Sequence, residues 1–385
     1  MIPYGRQEIT QADIDAVAEV LRSDFLTQGP QVPRFEQAVA TRCGVYHAVA
    51  VNSATSALHL ACLALNLGPG DGLWTVPNTF VASANCGLYC GAEVDFVDID
   101  PLSWNLSTAA LQDKLVQARR EGKLPKVVVP VHFGGQPTDQ EAIWELAREF
   151  GFKVLEDASH AIGATRKGEL VGNCRWSDIT VFSFHPVKII TTGEGGMALT
   201  NHGELAMRMM LLRSHGITRE AAQFRQPVAG PWCYEQLDLG YNYRLTDMQA
   251  ALGVSQLLRL DEFIKRRNEI AKRYDNLLSG LPLLLPTVSP GNTSAFHLYV
   301  IRLKIDAIRR THREIFEDLR NNGIGVNLHY MPVHLQPYYR DLGFGPGLCP
   351  EAERHGQEAI SLPLYPGLTD AQQDKVVSAL KVALA

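Results

Sequence analysis

The sequence has no lysine or arginine block and a formal net charge of only −5, so neither nucleic acid nor an anionic membrane surface is favoured as a partner. No apolar run approaches the roughly 18 residues that cross a bilayer. The opening MIPYGRQEIT lacks the basic and then apolar profile of a secretory signal. A cytoplasmic protein acting on small molecules is the expectation. Cysteine is sparse and odd in number, at seven, and only Cys86 and Cys90 lie close together, at a spacing that suggests one helix face. Buried free thiols are expected, with no disulfide and no metal site. Internal repeats and low-complexity tracts are absent. So are a helix-turn-helix pattern, which argues against a non-catalytic regulator, and a G-x-G-x-x-G between a first strand and helix, which argues against a nicotinamide enzyme.

What remains is a chain of 385 residues with 46% hydrophobic content, longer than one core usually serves. Thr10 is a plausible cap for a helix in which Ile14, Val17, Ala18 and Leu21 recur at helical spacing, although Asp13 stands where a capping box prefers Glu or Gln. Seven apolar runs then alternate with helical ones: VYHAVAVN, GLWTVPNTF, AEVDFVDID, KVVVPVHFG, FKVLEDASH, SDITVFSF and GGMALT. Near-continuous apolar strands of this kind predict an α/β fold with a mostly parallel sheet covered on both faces. From about Leu252 a charged helical segment leads to shorter strands such as AFHLYVIRL. The expected division is a large domain over 1–255 and a smaller C-terminal α+β domain over 256–385.

Ligands in open α/β sheets sit at the carboxyl ends of strands, and three such points carry polar residues. Asn52-Ser53-Ala54-Thr55-Ser56 opens a helix whose amide hydrogens and hydroxyls suit a phosphate, although a simple Ser cap explains the same pattern. Glu156-Asp157 ends another strand, and a carboxylate there can hold a cationic ring nitrogen or cap the next helix. Ser183 and His185 close a third strand, and Lys188 follows just before the turn Gly193-Glu194-Gly195-Gly196. A lone lysine usually snorkels to the surface. A desolvated one is nucleophilic and forms Schiff bases with aldehydes. A phosphate site, a ring-nitrogen carboxylate and an amine together describe pyridoxal phosphate.

These residues lie in motifs that resemble the pyridoxal-phosphate sugar-nucleotide aminotransferases of the DegT type. The motifs are NSATSALHLA, PNTFVASANCGLYCGAEVDFVDID, PVHFGGQ, EDASHAIGA, VFSFHPVKIITTGEGG, RSHGI, GYNYRLTDMQAALG and NLHYMPVHLQPYY, in family order over nearly the whole chain. The resemblance implies the aspartate-aminotransferase fold, known as fold type I. It implies Lys188 as the Schiff-base lysine, Asp157 as partner of the pyridine nitrogen, and Phe80 stacked on the ring. Thr55, Ser56 and Ser183 would hold the phosphate, and Asn242 would reach it from the other subunit of a homodimer with shared sites. His160 stands where many members have glutamine, either beside the phenolic oxygen of the cofactor or as a packed structural histidine. Tyr4, Asp24, Phe25, Leu26, Thr27, Ala54 and the run His329, Tyr330, Met331, Pro332 would line the sugar-nucleotide site. One of Arg6, Arg34, Arg213 and Arg244 would meet the diphosphate.

Within the family, SDFLTQGP, EDASHAIGA, FSFHPVKIITTGEGGM and ISLPLYPGLT are most similar to the transaminases of pseudaminic acid biosynthesis. The implied reaction aminates C4 of a UDP-linked 4-keto-6-deoxy-N-acetyl-altrosamine with L-glutamate as donor; near relatives aminate C4 or C3 of other nucleotide-linked keto sugars. A sugar 3-dehydratase on the same scaffold would carry histidine in place of Lys188, which argues against that reading.

Overall fold

The seven apolar runs become the seven strands of one sheet in a computed structural model that describes residues 1–227 and 230–385. The strands are β1 (His47–Val51), β2 (Gly72–Thr75), β3 (Glu93–Phe96), β4 (Val127–Val129), β5 (Lys153–Asp157), β6 (Ile179–Ser183) and β7 (Gly196–Thr200), in spatial order β1-β7-β6-β5-β4-β2-β3. All neighbours run parallel except β7, which is antiparallel to both β1 and β6.

The helices of this unit are α1 (Gln11–Leu21), α2 (Gln31–Cys43), α3 (Ala54–Ala64), α4 (Ala82–Tyr89), α5 (Thr108–Glu121), α6 (Gln140–Phe150), α7 (Gly203–Arg213) and α8 (Asp247–Leu257). Successive strand side chains point to opposite faces, so each strand of this end of the sheet feeds two cores. Val49 and Val51 of β1 and Val181 of β6 join Leu58 of α3 in one cluster. Ala48, Ala50 and Phe182 join Phe35 of α2 and Ala250 of α8 in the other.

The first helix departs from its expected orientation. Ile14 and Leu21 are 53% and 58% exposed, and the buried residues of α1 are Asp13 and Val20. Hydrogen bonding turns the helix this way. The Asp13 carboxylate accepts from the Thr10 amide (2.8 Å), Ser255 Oγ (2.6 Å), Gln256 Nε2 (2.9 Å) and Arg259 Nη2 (2.7 Å). That multiply satisfied charge ties α1 to α8, and the shorter Asp side chain closes the capping box with Thr10.

The long charged segment is also two helices rather than one. α8 ends at Leu257, and α9 (Leu260–Leu278) begins after a break at Leu258 and Arg259. Leu260, Phe263 and Ile264 of α9 pack with the second cluster, whereas Ile270, Tyr274 and Leu278 pack with a third. That third core contains the antiparallel strands β8 (Leu283–Leu284), β9 (Tyr299–Leu303) and β10 (Ala359–Leu362), with α10 (His312–Asn321) and α13 (Asp370–Leu384) around them, whereas α11 (Pro337–Asp341) and α12 (Pro350–Glu358) place Tyr339 and Ala352 in the first cluster. The chain start joins this unit, because Ile2–Pro3 pairs in parallel with Ile324–Gly325.

The register brings the polar strand ends together. Asp157 lies beside Val181, and Gly196 lies opposite both Ser183 and Val51. The ends of β1, β5 and β6 and the start of β7 therefore meet at one edge of the sheet.

Candidate active site

Alternation along β5 separates its two carboxylates. Glu156 turns into the core, where Thr180 Oγ1 (2.6 Å), Ser177 Oγ (3.1 Å) and the Gln140 amide donate to it. Burial raises its pKa, but His132, Thr180 and Gln140 outweigh burial and leave it below the ordinary carboxylate value. Asp157 turns toward a cleft. Its Oδ2 accepts from Ser83 Oγ at 2.6 Å, its Oδ1 accepts from the Ser159 amide at 3.0 Å, and Thr79 Oγ1 lies 2.8 Å from Ser83 Oγ. No helix starts at Asp157, so capping does not account for it.

The loop that carries Lys188 is a tightly bonded return from β6 to β7. Phe184 N donates to Gly195 O (2.9 Å), Thr192 N to Phe184 O (3.0 Å) and Lys188 N to His185 O (2.9 Å). Gly193 has φ +80°, which glycine adopts without a Cβ penalty. A Cβ on Gly196 would stand 2.5 Å from the Ala54 nitrogen and the Ser53 carbonyl group. That close approach seats the loop against the start of α3. Lys188 is half-buried there, and burial lowers its amine to about 8 while Asp157 pulls the other way. An amine near 8 is partly neutral at physiological pH and therefore nucleophilic.

At the start of α3, Ser53 is the helix cap and accepts from the Ser56 amide at 3.1 Å. The Ser56 hydroxyl donates to Asn52 Oδ1 at 2.7 Å and does not face the cleft. Thr55 does face it, beside Ser53 and Ala54.

His160 accepts from the Gly134 amide through Nδ1 at 3.3 Å, which places its proton on Nε2, 3.3 Å from the Tyr330 hydroxyl. The two rings stack with an interplanar angle of 16°. Burial, reinforced by the Lys188 charge, holds His160 and His297 well below the ordinary imidazole pKa and His329 at about 3. All three rings are neutral at physiological pH.

The resulting cleft measures about 550 Å³, within the size range of ligand sites. Of the residues expected from sequence it gathers Lys188, Asp157, His160, Thr55, Phe80, Ser183, Tyr4, Ala54, His329, Tyr330 and Met331. Phe80 is 60% exposed and offers a free aromatic face. Other expected residues lie elsewhere. Pro332 packs toward Gly356, where an added Cβ would stand 2.7 Å from its Cδ. Asp24, Phe25, Leu26 and Thr27 are exposed on a segment pinned to α8, where Leu26 O accepts from the Asp247 amide (3.0 Å) and the Asp247 carboxylate accepts from the Gly29 and Gln31 amides (2.8 and 2.7 Å). Asn242 is exposed outside this chain's own cleft. Arg213 is committed to Glu36 (2.6 Å) and the Ala50 carbonyl (2.7 Å), and Arg6, Arg34 and Arg244 do not line the cleft.

The cleft also contains His297 and Gln336, which sequence reasoning passed over, and His185 and Glu194, to which it gave no role. Ser83 was within reach, since it closes the run NTFVAS three residues after Phe80, but no strand-end rule points to it. The chemistry suits pyridoxal phosphate: an amine of lowered pKa, a buried carboxylate for a ring nitrogen, an open aromatic face, and a helix start with a free threonine stand around one cleft.

The family model for DegT/DnrJ/EryC1/StrS aminotransferases matches residues 7–381. The spore coat polysaccharide biosynthesis protein SpsC of Bacillus subtilis is 40% identical over 383 residues, covering 99% of this chain and 96% of its own. Among solved structures, PseC of Helicobacter pylori, an aminotransferase involved in the biosynthesis of pseudoaminic acid, superposes with a TM-score of 0.90 at 32% identity, covering 100% of this chain and 99% of its own. The putative sugar aminotransferase Spr1654 of Streptococcus pneumoniae, in its PMP form, gives 0.91 at 30% identity with the same coverage. The chain belongs to the DegT/DnrJ/EryC1/StrS family and is a sugar aminotransferase that uses pyridoxal phosphate.

Proposed function

We propose that this enzyme moves the amino group of L-glutamate to C4 of a UDP-linked 4-keto-6-deoxy-N-acetylhexosamine, UDP-2-acetamido-2,6-dideoxy-β-L-arabino-hexos-4-ulose, and so makes the 4-amino sugar nucleotide for pseudaminic acid. The observation that carries the transaminase part is Lys188, with its amine near 8, facing the same cleft as Asp157. The likeness to PseC supports the choice of sugar.

Bound pyridoxal phosphate supplies an electron sink for the carbon that loses its proton. Lys188 would hold it through its amine, and the same amine would take the proton from the amino-bearing carbon of glutamate and deliver one to C4 of the sugar. Asp157, oriented by Ser83 and Ser159, holds the ring nitrogen protonated. Thr55 and Ser183 would hold the phosphate, Phe80 would stack on the ring, and neutral His160 would keep the Tyr330 hydroxyl in place through their hydrogen bond. Asn242 completes the phosphate site of a partner subunit, which makes the working enzyme a homodimer in the cytoplasm. Tyr4, Ala54, His329 and Met331 contact the sugar nucleotide.

The 40% identity to SpsC favours a second reading, in which the acceptor is another nucleotide-linked keto sugar used in surface polysaccharide. Incubation with glutamate and a panel of UDP- and dTDP-linked 4-keto sugars, with products identified by mass and NMR, separates the two. Amination of the pseudaminic acid precursor alone supports the first reading; preference for another sugar overturns it. Turnover by Lys188→Ala would remove the catalytic assignment.

A further inference from the structure

α3 and α4 carry three thiols that the transamination chemistry does not use. Cys86 and Cys90 stand four residues apart, hence on one face of α4 and its C-terminal cap. Cys62 stands on the face of α3 that packs against them, and it adjoins both thiols. Cys62 and Cys86 have no exposed surface, whereas Cys90 is half-buried. His59, one turn before Cys62, closes the cluster. Its ring lies 5.5 Å from Tyr89, it adjoins Cys90, and its buried Nε2 finds no hydrogen-bond partner among the described residues. Cys90 is the one of the three thiols with exposed surface, and so the one a small oxidant can reach directly.

We infer that Cys90 and Cys62 form a peroxide-oxidised dithiol pair that disables the cleft through α4. The Cys90 thiolate attacks hydrogen peroxide; the O–O bond breaks, the sulfur gains OH as a sulfenic acid, and hydroxide leaves as water after taking a proton. The Cys62 thiol then attacks that sulfur, the S–O bond breaks, and a second water leaves. Two thiols lose two electrons and two protons, and peroxide is reduced to two waters. Contact with Cys62, together with His59, lowers the Cys90 thiol to about 6 against the opposing effect of burial, which favours it as the attacking sulfur.

The route to the cleft is one helix long. Cys86 Sγ donates to the Ser83 carbonyl at 3.3 Å, and Ser83 Oγ donates to Asp157. Tying the last turn of α4 to α3 shifts the helix that positions Asp157. This second half rests on the proposed function; the thiol chemistry does not.

The test treats the reduced holoenzyme with a few equivalents of hydrogen peroxide and maps its thiols by alkylation and mass spectrometry, alongside transamination assays. Before oxidation, Cys90 should alkylate about tenfold faster than half-buried Cys233 at neutral pH. After it, a peptide joining Cys62 to Cys90 should appear and activity should fall at least about fivefold, both reversed by dithiothreitol. Cys90→Ser should keep its reduced activity and resist peroxide, and Cys62→Ala should stop at the Cys90 sulfenic acid. Oxidation of Cys233 first, a Cys62–Cys86 link instead, or the expected disulfide with unchanged activity would each overturn the inference. An enzyme without transaminase activity that still forms the Cys62–Cys90 link would refute the functional proposal and leave the thiol chemistry standing.

Discussion

Ser83 Oγ donates a 2.6 Å hydrogen bond to Asp157 Oδ2, joining the first turn of α4 to the end of β5 across 74 positions of sequence. The bond fixes one oxygen of the carboxylate, and the Ser159 amide fixes the other. A hydrogen bond to a charged group contributes about 1.5–3 kcal/mol, so Ser83→Ala should lower kcat/KM by roughly ten- to a hundredfold. Steady-state kinetics with glutamate reads this, and the absorption band of the bound cofactor should shift with it. An unchanged rate and spectrum would show that Asp157 needs no orienting partner.

Lys188 should make aldehyde capture depend on pH. Its amine is lowered from 10.5 to about 8 by burial. Below 8 the folded protein holds it charged, and the neutral fraction falls about tenfold per pH unit. Cofactor-free enzyme should therefore bind pyridoxal phosphate covalently faster as pH rises, levelling above about 8. The linkage sign is the same: between 8 and 10.5 the unfolded chain binds more protons at this group than the folded one, so its contribution to stability rises with pH across that window. Stopped-flow absorbance and denaturation of wild type against Lys188→Met follow the two effects.

His160 is neutral and uses both ring nitrogens, accepting from Gly134 and donating to Tyr330. An amide can do both jobs. His160→Gln should keep activity within a few-fold, whereas His160→Leu should lose about tenfold, equivalent to one neutral hydrogen bond of about 1 kcal/mol and an unpaired buried partner. A titrating imidazole in the rate profile between pH 5 and 7 that vanished in His160→Gln would contradict this.

Gly196→Ala should disrupt the seat of the Lys188 loop against the start of α3. The new carbon would meet backbone atoms of Ser53 and Ala54 at 2.5 Å, and neither β7 nor the start of α3 can swing aside as a side chain would. Overpacking of this kind costs about 1–3 kcal/mol. Thermal unfolding should show that loss, together with weaker cofactor retention. Unaltered stability would mean that the two segments move freely.

Asn242 lies on the surface, away from its own cleft. If it serves a partner, Lys188→Ala and Asn242→Ala should complement when their subunits are mixed, because one site of each heterodimer then has both residues. Activity should recover toward about a quarter of wild type, the statistical share of intact sites. No recovery from two inactive parents that do exchange subunits would place Asn242 outside the shared site.

The seven strands were legible because each is a continuous apolar run, and burial on both faces demands that pattern whatever the partner strands are. Lys188, Asp157 and Thr55 were legible because they are polar residues just after such runs, where the sheet leaves an open edge. The outward stripe of α1 was not, since periodicity alone cannot know that Asp13 would be drawn inward by Ser255, Gln256 and Arg259, more than two hundred residues away.

Ser83, His297 and the commitment of the Ser56 hydroxyl to Asn52 belong to the same second class. By itself the sequence determined the strands, the chemical types at their ends and the family. Only the tertiary structure decided which hydroxyl meets Asp157, how far burial lowers the Lys188 amine, and which expected residues stay outside the cleft. Those outcomes depend on distance and desolvation, which arise between segments far apart in the chain and leave no periodic mark within any one of them.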